Sequence, residues 1–129
     1  MNERPRALAM IICDDVIEDV RSRKKTLLGI FNQITTKKFP ARHPKIVIFL
    51  SLTNGFGRCQ ATLQLIHLSE LKVLHEIQGE LQFANPNDIS EYTFELLNVS
   101  FPEEGKYSFQ LLLDGQTAIE RVFEVISAA

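Results

Sequence analysis

The chain has 129 residues, a net charge of −2 and 45% hydrophobic residues. That is the length of one domain with apolar side chains enough for one core, and it excludes both a generally basic surface for nucleic acid and an acidic tail. No apolar run reaches the roughly 18 residues of a membrane span, and two cysteines are too few for a disulfide framework.

The opening "MNERPRALAMIICDD" carries charges, then a short apolar stretch that ends at an acidic pair. It has no small-residue cleavage site, so it does not read as a signal peptide. A cytoplasmic location is the expectation, with Cys13 and Cys59 as reduced, unbridged thiols. Next come four acids (Asp14, Asp15, Glu18, Asp19) and four bases (Arg21, Arg23, Lys24, Lys25). Val16, Ile17 and Val20 do not repeat at helical spacing, which predicts strand end and solvated loop here.

Turn signals then punctuate the chain at "FPARHP", "TNGFG", "SELK", "ANPND", "FPEEG" and "DG". Short runs rich in Ile, Val, Leu, Phe and Thr lie between them, the pattern of an all-β sandwich or barrel. In "KIVIFLSLT", Ile46, Ile48, Leu50 and Leu52 form one row, while Val47 and Phe49 begin an apolar row on the other face. A strand apolar on both faces is covered on both sides. The cover over Val47 and Phe49 is either another segment of this chain, such as residues 21–26 or "FPARHP", or a second copy in a two-fold homodimer. In "QATLQLIHL", Ala61, Leu63 and Leu65 share a face. In "KVLHEIQGELQF", one face reads Val73, His75, Ile77, Gly79, Leu81, Phe83. In "KYSFQLLLD", Tyr107, Phe109, Leu111 and Leu113 share a face. The final hairpin holds a register conflict. A two-residue Asp114-Gly115 loop places Glu120 opposite Phe109. The alternatives are a bulge near Glu120 and Arg121 or a longer loop.

The stretch "FPEEGKYSF" places Glu103, Gly105, Tyr107 and Phe109 in a Glu-x-Gly-x-Tyr-x-Phe pattern. It resembles the E-to-F corner of immunoglobulin-like domains, where the tyrosine hydroxyl bonds to backbone a few residues upstream. Phe109 stands where that family carries its second cysteine, and the chain has no Trp. The resemblance implies a structural corner, not a catalytic tyrosine. Over Ala7 to Ile126, the order "ICDD", "KKTLLGIFNQI", "KFP", the two-faced strand and "GKYSFQLLLDG" resembles a bacterial family of small β-sandwich proteins known only as a domain of unknown function. That resemblance implies one sandwich domain and assigns no activity.

Candidate sites are few. Cys13, Asp14, Asp15 and Asp19 are metal-ligand types. Adjacent residues of a strand point to opposite faces, however, and the following bases neutralise the acids. His67 and His75 flank the "LSELKVL" turn and would need a third ligand to hold zinc or copper, and His43 and Cys59 lie in other segments. No Gly-x-Ser-x-Gly elbow, phosphate loop or dinucleotide fingerprint occurs. Phe56, at the tip of "TNGFGR" beside Arg58, is either a binding anchor or a plug for the open end of the core.

The sequence therefore predicts a single antiparallel β-sandwich over residues 1–129, immunoglobulin-like, with seven or eight strands. The expected function is a non-catalytic cytoplasmic binding or assembly module without cofactor. Its expected partner is a protein or a second copy, not nucleic acid or membrane, with Val47, Phe49, Phe56 and Arg58 as candidate contacts. The rival is a small metal-dependent or hydrolytic enzyme using Cys13, Asp14, Asp15 and the histidines.

Overall fold

Alternating side chains and left-handed turn residues build the structure between them. The computed structural model describes residues 5–128, and these contain ten β-strands and no helix. The strands are β1 (Arg6–Cys13), β2 (Asp15–Glu18), β3 (Lys25–Leu28), β4 (Gln33–Thr36), β5 (Ala41–Thr53), β6 (Gly57–His67), β7 (Lys72–Phe83), β8 (Ile89–Phe101), β9 (Gly105–Leu113) and β10 (Gln116–Ser127). The tight turns fall at Asn54, Leu71 and Asp114–Gly115, all with positive φ. The last pair forms the two-residue loop that Asp-Gly favours.

The strands form three sheets: a three-stranded one ordered β1-β5-β8, a five-stranded one ordered β4-β10-β9-β6-β7, and the small hairpin β2-β3. One core joins the two larger sheets. Ile46, Ile48, Leu50 and Leu52 come from the first, and Leu63, Leu65, Phe109 and Leu111 from the second. All eight are essentially without solvent contact. At about 25 cal/mol per Å² of apolar area removed from water, such rows supply most of the folding drive.

Four details differ from the sequence reading or resolve it. There are ten strands rather than seven or eight, because three four-residue strands, β2, β3 and β4, were too short to show a period, and the sheets are not purely antiparallel, because β4 runs parallel to β10. The charged stretch after Cys13 is strand and exposed loop as expected, but the chain returns in β3 to close the β2-β3 hairpin, pairing Val16 with Leu27 and Glu18 with Lys25. In β7 the ladder skips Leu74 between Val73 and His75. That bulge turns Leu74 toward the core and leaves Val73 exposed, the reverse of strict alternation. In the final hairpin, Gln116 pairs with Leu113 across a two-residue loop, and a bulge at Ala118 then sets Ile119 opposite Leu111. The bulge lies two residues before the expected place, and it brings Phe123 and Val125 inward at the cost of Arg121 in the same row. Arg121 escapes full burial at the seam between the sheets, where its Nη1 lies 3.5 Å from the Met10 carbonyl oxygen.

The cover over Val47 and Phe49 is intramolecular. Both residues face away from the core, yet they are only 3% and 9% exposed. The β2-β3 hairpin folds back over this outer face. Asp15 reaches Lys45 on β5 at 3.2 Å, and Lys25 reaches Glu91 on β8 at 3.1 Å. Lys45 also lies 3.7 Å from Glu95, and Lys25 lies 3.5 Å from Glu18. Val47 and Phe49 are therefore no open contact surface, and the homodimer argued from them loses its basis.

Candidate functional site

The opening acid cluster has structural work. Cys13 is fully buried, with its Sγ 3.6 Å from the Val47 carbonyl oxygen. Burial pushes its thiol above the ordinary range. Asp14 packs its carboxylate over Gly29, whose positive φ and missing Cβ leave that space. Asp15 accepts from Lys45 and from the Val16 amide, and the Lys45 contact chiefly holds its carboxyl below the usual range. Asp19 accepts from the Ser22 and Arg21 amides, which lower its carboxyl in the same way. These residues do not converge on one point, so the metal or hydrolytic set of Cys13, Asp14 and Asp15 is not assembled.

The histidines also separate. His75 pairs with Leu65 across the ladder and is exposed, whereas His67 is 1% exposed at the end of the inner row of β6. His43 packs on the Phe31 ring at 5.7 Å, and burial lowers its pKa. Phe56 is 44% exposed. The end of the core beneath it is closed by Phe83, whose ring lies against Gly55 so closely that a Cβ there would clash at 2.7 Å. Arg58 is near Glu80 at 3.9 Å, beside a shallow groove of about 420 Å³ lined by Gly57, Gln82 and Phe83.

Two features stand out instead. The first is the outer face of the five-stranded sheet, where Arg58, Glu76, Glu80, Lys106, Glu120 and Glu124 are exposed around a buried Ser108. Its polar side chains link across four strands. Gln64 donates to Glu76 at 2.8 Å, and Gln110 donates to Glu120 at 2.9 Å. Gln64 and Gln110 are themselves ladder partners, and Ser108 also donates to Glu120 at 3.2 Å. Period two places Arg58, Gln78, Glu80, Lys106 and Glu124 on the same face.

The second is a cluster where the β6-β7 turn meets the β8-β9 corner. The Tyr107 hydroxyl donates to the Glu103 carbonyl oxygen, and its ring meets Phe101 at 5.0 Å and His67 at 4.7 Å, both edge to face. Gly105 supplies the φ of +145° that lets the chain turn between them. The Leu68 amide donates to the Lys106 carbonyl at 3.1 Å and ties the turn to the corner. Around His67, Ser69 Oγ lies 3.0 Å from Nδ1 and Glu103 Oε1 lies 3.2 Å from Nε2. Glu70 completes a set whose ligand atoms all lie within 4.8 Å of one another. Glu103 sits off the axis of the ring nitrogen, so Nε2 is buried without a hydrogen bond.

Ser69 and Glu70 were missed in the sequence, and Glu103 was read only as part of the corner. A partial signal existed, because the inner row Ala61, Leu63, Leu65 runs on by period two to His67, a histidine at a core position. The meeting of the two loops was not visible in either one alone.

No curated protein matches this chain. The model of a protein family described as Family of unknown function (DUF6941) matches residues 8–126, nearly the whole described fold. The chain therefore belongs to the DUF6941 family.

Proposed function

We propose that the chain is a non-catalytic binding module, built as an immunoglobulin-like sandwich, that holds a protein partner on the outer face of its five-stranded sheet. The fold reading is supported by strand order. With β1, β5 and β8 read as strands A, B and E, and β6, β7, β9 and β10 as C, C′, F and G, the order of these seven strands is the one an immunoglobulin-like sandwich would have, with β4 added beside β10. Tyr107 then stands near the start of strand F, with its hydroxyl on backbone four residues upstream.

One observation supports the functional reading: among the described residues the hairpin covers one sheet face, while the opposite face presents exposed side chains from β6, β7, β9 and β10. That opposite face measures roughly 20 Å by 30 Å from strand spacing and rise, close to the ~800 Å² each partner gives a standard interface. It presents Glu76, Glu80, Glu120 and Glu124 against Arg58 and Lys106, so the complementary surface is a basic protein surface. Leu112, Ile66 and the exposed Val122 add apolar points among the glutamines. The free edge of β7 offers a further row of backbone groups. The buried thiols of Cys13 and Cys59 support a reducing, cytoplasmic setting.

The test is co-purification from the native host with wild-type chain and with Glu76→Lys/Glu80→Lys. Both substituted residues are exposed, so the fold is kept. A partner recovered with the wild type and lost with the variant supports the reading. A partner equally retained by the variant, or lost when Glu18 on the hairpin is reversed instead, overturns it.

A further inference from the structure

We infer that His67, Glu70 and Glu103 form a binding site for a single divalent transition-metal ion of the zinc class. The argument starts from His67 Nε2. It has no solvent contact and no hydrogen bond, although a carboxylate oxygen lies 3.2 Å away. An N–H on Nε2 would point past Glu103. A lone pair there would face two carboxylates, which repel it. Neither state suits the atom, and such buried orphans call for an explanation.

A metal ion supplies one. Zinc binds imidazole nitrogen and carboxylate oxygen at about 2.0–2.2 Å, so neighbouring ligand atoms of a tetrahedron lie about 3.3 Å apart. The 3.2 Å between Nε2 and Glu103 Oε1 matches that edge length, although the pair makes no hydrogen bond. Glu70 is exposed on the turn and closes the remaining gap by rotating its side chain.

The surroundings hold the ligands as a metal site requires. With the ring proton on Nδ1, His67 donates to Ser69 Oγ, 3.0 Å away, and the Nε2 lone pair is left for the ion, the second partner that ligating histidines ordinarily have. The Tyr107 ring packs against the imidazole, and its hydroxyl fixes the backbone of Glu103. The Leu68 amide ties the two loops together. Three protein ligands leave a fourth position for water. This site is at one end of the molecule and does not depend on the binding face proposed above.

The experiment strips the purified protein with chelator, then titrates it with cobalt(II) and follows the visible ligand-field absorption. The site predicts an intense tetrahedral band that saturates at one equivalent and is bleached by zinc. Glu70→Gln/Glu103→Gln abolishes it, His75→Asn leaves it unchanged, and Ser69→Ala weakens binding about tenfold. In the nitrogen spectrum of the histidine rings, zinc shifts Nε2 of His67 while Nδ1 keeps its proton. Absence of the band, a band that survives Glu70→Gln/Glu103→Gln, or a His67 ring unmoved by zinc overturns the site.

Discussion

Replacing Tyr107 by Phe isolates one hydrogen bond from the rest of the core. The ring is fully buried and meets Phe101 at 5.0 Å, Phe123 at 5.9 Å and His67 at 4.7 Å. Phenylalanine keeps every one of those contacts. Only the donation to the Glu103 carbonyl is removed. A lost buried hydrogen bond costs about 1 kcal/mol, which lowers the melting temperature of a domain this size by about 3–5 °C. Tyr107→Ala removes the ring as well and costs about 3–5 kcal/mol. Urea unfolding of the three proteins separates the terms, with midpoints falling in that order at a constant slope. Burial also raises the phenol pKa. The phenol's contribution is therefore complete below its unfolded value near pH 10 and is lost as pH rises through the folded one. If Tyr107→Phe leaves the midpoint unchanged, or costs as much as Tyr107→Ala, the corner is not held as described.

Three further outcomes follow from the packing. Phe49→Ala should destabilise the fold by about 3 kcal/mol, because Phe49 is covered by its own chain; a neutral result in thermal melts would mean the hairpin does not lie over it. Gly29→Ala should cost about 1 kcal/mol or more, since φ is +66° and the new Cβ would meet Asp14 Oδ2 at 2.2 Å. Adding Asp14→Ala should restore only part of that loss in the same unfolding assay, because the backbone strain remains. Asp15 and Asp19 both have lowered carboxyl pKa values, so their contribution is present above the unfolded value of about 4 and is lost as pH falls through the folded one. Hydrogen exchange should show amides 15–28 opening before those of β6 and β9 as pH falls below about 4, whereas uniform opening would count against a clamp built on these carboxylates.

How much the sequence disclosed depended on the kind of signal. Rows such as Ile46 to Leu52 and Tyr107 to Leu113 were legible because period two repeats over many residues and one face is apolar throughout. The all-β class and most turns came from the same source. The bulges at Leu74 and Ala118 were not placed, because a bulge is chosen by the partner strand and alternation within one strand carries no record of it. The β2-β3 hairpin was hidden for a related reason. Its charges read as a solvated loop, yet Asp15 and Lys25 pair with Lys45 and Glu91 from distant strands. Val47 and Phe49 did announce that something covers them, and only the identity of the cover needed the structure. The His67 cluster was the least legible, because its members lie on two turns that are 33 to 36 residues apart in the chain and meet only through the fold.

Site-specific photo-crosslinking in the native host tests whether a partner docks on the outer face of the five-stranded sheet and not on the hairpin side, with the crosslinker placed at Gln78 on that outer face and, separately, at the half-exposed Ile17 on the covering hairpin. A partner on the outer sheet face gives a discrete protein adduct from Gln78 and none from Ile17. An adduct from Ile17 alone, or none from Gln78 when the chain is expressed at its native level, would contradict it.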